Sequence, residues 1–574
     1  MRKLVLCSFA MLLGGLFLPS HGMAATSPAA AYLERLPEDE FIYFLLPDRF
    51  ENGDRTNDLG GLKGDRLITG YDPTHKGFFH GGDLQGLVSR LDYIQSLGAT
   101  AIWLGPIYQN KPVQGPLGDE SAGYHGYWIT DFTRVDRHYG TDEEMKAFVE
   151  AAHARGIKVY LDIITNHTAD VITYRECPRI GCPYRAKADF PGQAYAAYVP
   201  DGEENVKVPA WLNDVRWYHN RGNSTFEGES SQLGDFSGLD DLDTENPRVV
   251  QGFIDIYGDW IARYRIDGFR IDTAKHVNPE FWQAFAPAMR QRAQGLGIPN
   301  FHVFGEVATD EMDPALLARW TRIADLPGVL DFGFAAAVRG VLAGKAGTDL
   351  LAKLFEADVL YAGGEAQALT LPTFVSNHDT GRLAMYVRRE RPAASADEVL
   401  ARVRLGQAML LLLRGVPTVY YGDEQGFVGL GGDQAARQDM FPSRTVSYNT
   451  QPLLGTKATT ADNNFDTTHP LYRLLQQLAT VRAGHDALRR GRQVTRFASP
   501  QPGLFAVSRF SPTTGKEVVL AFNTSEVPLE VNVVVAPGSV AFHALAGECA
   551  AAARKAGSYR VKLPAFGFAA CAAD

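Results

Sequence analysis

The strongest constraint in this sequence is an alternation. Eight short apolar or β-branched runs recur along residues 41–422, and a longer helical pattern follows each one. The runs are FIYFLL from Phe41, ATAIWLG from Ala99, KVYLDII from Lys158, GFRID from Gly268, FHVFGEV from Phe301, GVLDF from Gly328, LPTFVSN from Leu371 and VPTVYYG from Val416. The clearest helix start is at Thr141. There TDEE forms a capping box with Glu144, ahead of Met145, Phe148, Val149 and Ala152 on one face. Strands that alternate with helices run parallel, and eight of them predict an α/β chain built on a closed (β/α)8 TIM barrel. An open doubly wound sheet is the alternative. No glycine-rich dinucleotide fingerprint follows the first run, so the barrel is preferred.

One connection breaks the rhythm. Between the third run and the helix NPRVVQGFIDIYGDWIARY lies a segment rich in Gly, Pro, Asn and Tyr. Structureless loops that long are uncommon in compact domains, so residues 165–244 are expected to form an inserted subdomain after the third strand. Beyond Arg490 the pattern changes to LFAVSRF, EVVLAFN, LEVNVVV and YRVKLP. Residues 489–574 are therefore expected to form a C-terminal antiparallel β-sandwich domain, leaving 25–164 and 245–488 to the barrel.

Residues 1–24 read as an export signal. MRK supplies positive charge, LVLCSFAMLLGGLFL the apolar run, and Gly22 to Ala24 a small-residue cleavage pattern. The run is short for a membrane span, so a secreted or periplasmic protein with no membrane association is expected. Cleavage removes Cys7 and leaves Cys177, Cys182, Cys549 and Cys571, an even number that suggests disulfides in an exported chain. Three pairings are open, and proximity alone favours Cys177 with Cys182 and Cys549 with Cys571. Zinc is disfavoured, because no His lies at ligand spacing. The net charge of -10 argues against nucleic acid as a partner and for a neutral substrate. A monomer is expected.

Charge concentrates where a barrel would put its active site. DGFRIDTAKHV, Asp267 to Val277, carries two Asp, one Arg, one Lys and one His. Side chains alternate along a strand, so Phe269 and Ile271 share one face and Arg270 and Asp272 the other. Glu306 ends another apolar run, and His378 and Asp379 end a third. Three carboxylates at the C-terminal mouths of three strands converge over one pocket. Two such groups suffice for retaining glycoside hydrolysis, as nucleophile and proton donor about 5–5.5 Å apart. Arg270 is expected to hold Asp272 ionised, while apolar Phe304 and Val307 keep Glu306 protonated.

At these residues the chain resembles the α-amylase family of glycoside hydrolases. DIITNH from Asp162, GLDDLD from Gly238, GFRIDTAKH, FGEV and FVSNHD occur in the family's order, supported by YHGYW at Tyr124 and GVPTVYYGDE at Gly415. The resemblance spans roughly residues 40–480. It implies that Asp272 is the nucleophile, Glu306 the acid/base and Asp379 the carboxylate that stabilises the transition state, with Arg270 orienting Asp272. His125, His167 and His378 would bind hydroxyls of the reacting glucose, Tyr127 would stack on its ring, and Lys275 would reach the leaving-group side. Trp128 is expected to be core. The implied reaction is retaining hydrolysis of α-1,4 bonds in α-glucans. Cyclodextrin cleavage or transglycosylation within the family is the alternative, and a non-catalytic glucan-binding scaffold a remote one. Cyclising relatives carry an aromatic residue where this chain has Ala308, and another where it has Ser237, with Phe236 one place out of register. Water is therefore expected to outcompete sugar acceptors. The C-terminal domain has no Trp, the last being Trp320, which disfavours a starch-binding module.

Calcium is implied at two places. DRFENGDRTND holds Asn52, Asp54, Asn57 and Asp58 on a turn, a dense oxygen set that suits a hard cation. Cyclodextrin glucanotransferases carry a similar loop, completed here by Gly81 and Asp83 of HGGD. The family's calcium between barrel and insertion maps onto Asn166, Asp241 and the carbonyl of His276.

Overall fold

The computed structural model describes residues 31–179 and 181–574. The expected export signal, with Cys7, lies outside the described residues. Seven strands form one parallel sheet: β1 (Ile42–Leu45), β2 (Ala101–Leu104), β3 (Lys158–Ile163), β4 (Gly268–Ile271), β5 (His302–Gly305), β6 (Pro372–Thr373) and β7 (Val416–Tyr420). Their spatial order is β5-β4-β3-β2-β1-β7-β6. The eighth run, GVLDF, closes the ring by single bridges, Val329 to Gly305 of β5 and Asp331 to Thr373 of β6. Asp331 also caps the next helix, Phe332–Leu342, by accepting from Phe334 N at 2.8 Å.

The helix Asp142–Ala154 starts with the expected capping box and buries Met145, Phe148, Val149 and Ala152 against the sheet. The helix Pro247–Tyr264 enters through Pro247 at its first turn and an Asn246 cap, and buries Phe253, Tyr257, Trp260 and Ile261. In β4 the alternation is realised. Phe269 packs outward against Tyr257 and Phe301, whereas Arg270 points to the barrel axis beside Trp103.

Between β3 and the helix Pro247–Tyr264, where the insertion was expected, lies a set of short strands and helical turns. Its base is a two-stranded pairing of His167–Thr168 with Asp240–Asp241. The Cys177–Cys182 disulfide is within it, and Cys549–Cys571 ties the C-terminal domain. That domain has two antiparallel sheets. Five strands run in the order 492–497, 504–510, 517–523, 568–573, 542–546, and a pair joins Leu529–Val534 to Ser558–Leu563. One face of the larger sheet, with Phe505, Val507, Leu520 and Phe522, joins the barrel's core. The other, with Leu504, Ala506, Val519 and Ala521, packs on Val533, Tyr559 and Val561 of the pair. No described helix is long and apolar enough to cross a membrane.

Candidate active site

The hydrogen-bond ladder of the barrel continues past the strand ends. Asp272 N donates to Ile163 O at 2.9 Å and Glu306 N to Ile271 O at 2.8 Å. The two acids are thus held side by side at the mouths of β4 and β5. Thr273 then adopts φ +46°, a costly conformation for a β-branched residue. It turns its own N–H onto Glu306 Oε2 at 3.0 Å. Asp272, Glu306 and Asp379 line one cavity of ≈ 660 Å³, together with His125, Tyr127, His167, Lys275 and His276.

Beneath the cavity lies Arg270, fully buried. Its Nη1 donates to Asp162 at 2.8 and 2.9 Å and to Asp272 Oδ1 at 2.9 Å, and its Nη2 meets Glu306 Oε2 at 2.9 Å. This corrects the expected division of labour. Arg270 does not single out Asp272, and Glu306 does not sit in an apolar pocket; one guanidinium spans both acids and a third. Burial drives the Asp272 carboxyl well above its ordinary range, Glu306, Asp162 and Asp379 add to the rise, and Arg270 only offsets it. Burial likewise pushes Asp162 up to about 6. Asp162 and Asp272 crowd around one cation, and burial with mutual repulsion raises both.

Asp162 is a functional neighbour that the motifs did not assign. It stands directly in register with Arg270 and also accepts from Trp103 Nε1 at 3.1 Å and Tyr127 Oη at 3.1 Å. Its signal was available: an acid inside the apolar run KVYLDII, on the inward-facing side. Arg437 had no such signal. It reaches Asp379 Oδ1 at 3.0 Å and the His378 carbonyl at 3.2 Å from a loop after β7.

The three histidines come together as neutral rings. Burial lowers His125 and His378 well below the usual imidazole range, with Arg437 adding to both, and lowers His167 to about 3. Tyr127 lies between His125 and His378, nearly parallel to each, with ring centroids 5.5 and 5.6 Å apart. Its hydroxyl is 2.7 Å from His378 Nε2. His167 Nε2 is buried without a protein partner. Uncharged imidazoles with free ring nitrogens suit the hydroxyls of a neutral sugar better than a charged ligand. Lys275 Nζ donates to Ala308 O at 2.7 Å at the cavity edge. Trp128 lines the cavity and is not core, correcting the expectation.

A further correction concerns the aromatic wall. Ser237 adopts φ +54°, and the chain then turns Phe236 into the cavity, where its ring stacks on His167 at 5.5 Å. Phe226 meets Phe236 edge-on at 5.1 Å and also lines the cavity. Ala308 is small, as its sequence says, but the cavity does not lack aromatic faces.

Two oxygen clusters bear on metal binding. At the first, Asn52 Nδ2 donates to Asp58 Oδ1 at 2.8 Å, while Asn52 Oδ1 and Asn57 Oδ1 are buried with no partner. A Cβ on Gly81 would collide with both Asn52 and Asp58. Asp83 lies alongside, accepting from Gly53 N, Asp54 N and Gly86 N. Orphaned oxygens among carboxylates fit a hard cation. The Asp54 carboxylate does not join them; it is exposed and bonds Thr56 N and Oγ1. At the second cluster the base of the insertion brings Asn166 and Asp241 together, with Leu242 N donating to Asn166 O at 3.0 Å. His276 is docked on the insertion through Ser231 O at 2.6 Å. Unanticipated there is His219, whose ring bonds Asp241 Oδ2 at 2.6 Å and Glu245 at 2.7 Å.

Residues 44–491 match the family model described as alpha amylase, catalytic domain. The chain is 43% identical over 558 residues to an α-amylase of Streptomyces lividans, covering 91% of this chain and 60% of that protein. It thus spans about 60% of that relative's length. It is 26% identical to a cyclomaltodextrin glucanotransferase of Klebsiella oxytoca, over 90% of this chain and 75% of that one. Among solved structures, an Anoxybacillus α-amylase superposes with a TM-score of 0.71 at 29% identity, covering 94% of this chain and 98% of the other.

Proposed function

From the chain's membership of the α-amylase family, we propose that this cavity hydrolyses α-1,4-glucosidic bonds of starch-type glucans or maltooligosaccharides with retention. The carrying observation is that one buried guanidinium, Arg270, contacts both Asp272 and Glu306 at adjacent strand mouths. In the first step the Asp272 carboxylate attacks the anomeric carbon as Glu306 gives its proton to the glycosidic oxygen, and the C–O bond to the leaving sugar breaks. In the second, Glu306 takes a proton from water as the water displaces Asp272. Asp379, at the exposed rim, stabilises developing positive charge on the sugar, and Arg437 fixes its position. His125, His167 and His378 bind hydroxyls as neutral rings, Tyr127 packs on the glucose, and Lys275 contacts the leaving-group side.

Calcium belongs to the proposal at both oxygen clusters. Asn52, Asn57, Asp58, Gly81 and Asp83, with the main chain of Asp54, would hold one ion. Asn166, Asp241 and the His276 carbonyl would hold the other. Each ion would supply fixed positive charge that pins a loop. We infer an exported protein that acts as a monomer.

A second reading, glycosyl transfer to a sugar acceptor, is favoured by the Phe226 and Phe236 faces, on which an acceptor ring can stack. Hydrolysis keeps precedence because Ala308, which also lines the cavity, adds no aromatic face. The test is a product time course from starch, pullulan and cyclodextrins. Linear maltooligosaccharides with rising reducing ends are expected, and cyclic or lengthened products as the main early species would reverse the order. Glu306→Gln should fold and lose about 10²–10⁴-fold or more in turnover; near-normal activity would remove it from the mechanism.

A further inference from the structure

The face of the larger C-terminal sheet that meets the barrel carries Arg509 as well as Phe505 and Val507. Arg509 is fully buried and has no carboxylate partner. Its Nε donates to Gly491 O at 3.1 Å and its Nη1 to Leu412 O at 3.3 Å, while Nη2 is buried with no acceptor. Arg482, from the last barrel helix, is in the same situation. It donates to the carbonyls of Leu411, Leu488, Glu38 and Gly415, and its Nε is buried and unpartnered. Both guanidiniums therefore brace one turn, Leu411–Gly415, that leads into β7.

A third orphan donor lies at the same turn. Gln493 is the cross-strand partner of Arg509. Its Oε1 accepts from Arg414 N at 3.0 Å, and its Nε2 is buried with no partner. The nearby acids are committed elsewhere: Asp331 and Asp358 to Arg414, and Asp39 to Arg489 and Arg490. Glu38 meets Arg482 through its carbonyl, not its carboxylate.

Carbonyl dipoles satisfy hydrogen bonds but do not cancel charge. Carboxylates act on these cations only at longer range, Asp358 on Arg509 and Asp39 and Glu38 on Arg482, and none is in contact; two buried cations with no contacting anion are a costly arrangement, since buried charges in folded proteins are normally paired. Burial and repulsion among the guanidiniums push Arg482 down to about 9 and Arg509 well below its ordinary value. A water molecule could take the free N–H groups but would leave the charge uncompensated.

We propose that a small monovalent anion of halide size binds in the seam between the barrel and the C-terminal domain, held by Arg509 Nη2, Arg482 Nε and Gln493 Nε2. Such an ion would tie the β domain to the turn entering β7. Because it binds only the folded chain, it stabilises by mass action.

The full-length protein is melted in sodium gluconate progressively replaced by sodium chloride, at fixed ionic strength and fixed calcium. Tm should rise with the logarithm of chloride, by about 1–3 °C per tenfold once the site fills. Arg509→Gln should abolish that dependence. Crystals of the unaltered protein grown in sodium bromide provide a second readout that does not depend on the folding of this variant. An anomalous bromide peak between Arg482 and Arg509 is expected. A Tm that ignores chloride, or no bromide peak at that position, overturns the proposal.

Discussion

Replacing Arg270 with Ala removes the cation in contact with Asp162, Asp272 and Glu306. All three acids are buried, Asp162 fully, and only Asp272 and Glu306 reach the cavity. Breaking a buried ion pair by deleting one partner costs about 3–5 kcal/mol. A chain of this size unfolds with an entropy on the order of 1 kcal/mol per kelvin, so Tm should fall by about 3–5 °C near neutral pH. The pH dependence is the sharper signature. Asp162 and Asp272 already have raised folded-state values, and loss of the guanidinium raises them further. A carboxyl with a raised folded value contributes its full stability below its unfolded value near 4, and loses it as pH rises through the folded value. The gap between variant and parent should therefore be small at pH 4.5 and widen up to pH 8. Scanning calorimetry across that range measures it, with Arg270→Lys as a control that keeps the charge but not the fork. A gap equal at both ends of the range, or none, would refute the reasoning.

Glu424 is buried under the hydroxyls of Tyr43 and Tyr93 and pushed by burial up to about 7. Its contribution is lost as pH rises through that value, so Glu424→Gln should gain up to about 3 kcal/mol relative to the parent between pH 4.5 and 8 in denaturant titrations; a flat difference would contradict this. Excess chelator should lower Tm, and added calcium should restore it. An unchanged melt, with no calcium by elemental analysis, would remove the metal from the proposal. Converting Cys549 and Cys571 together to Ser opens a loop of sequence separation 22. It should cost about 3 kcal/mol of stability and leave kcat on starch unaltered, because the bridge is in the β domain; a fall in kcat with stability unchanged would invert that assignment.

The barrel was legible because its strands are short runs of mostly apolar residues that stand out from amphipathic helices. GVLDF shows the limit. Apolar content marks a run, but Asp331 is needed as a helix cap, and the ladder shrinks to two bridges. In the C-terminal domain the runs LFAVSRF and EVVLAFN were plain, whereas FAACAA (568–573) was not. Alternation cannot be seen when almost every side chain is small, yet those residues pair along five positions with Val518–Phe522. The strand RQVTRF (492–497) was hidden by charge, since its place in the sheet depends on pairing with Leu504–Phe510 and not on its own hydrophobicity.

The site divides along the same line, between what a residue type dictates and what only chain geometry decides. Acids at strand ends are a local property, and Asp272, Glu306 and Asp379 share one cavity as expected. Which acid Arg270 serves is not local. Its fork is wide enough for Asp162, Asp272 and Glu306 at once, so flanking residues such as Phe304 could not predict the proton balance. Register fails for a similar reason. Counting back from Asp241 lands on Ser237, and a position count assumes an uninterrupted backbone direction. The left-handed φ at Ser237 breaks that assumption and brings the preceding Phe236 to the cavity wall. A Ser237→Gly variant should accept this φ without strain and keep the ring in place, whereas a β-branched residue there would resist it. The aromatic face that the cavity offers a sugar ring is therefore set by one backbone angle as much as by any side chain.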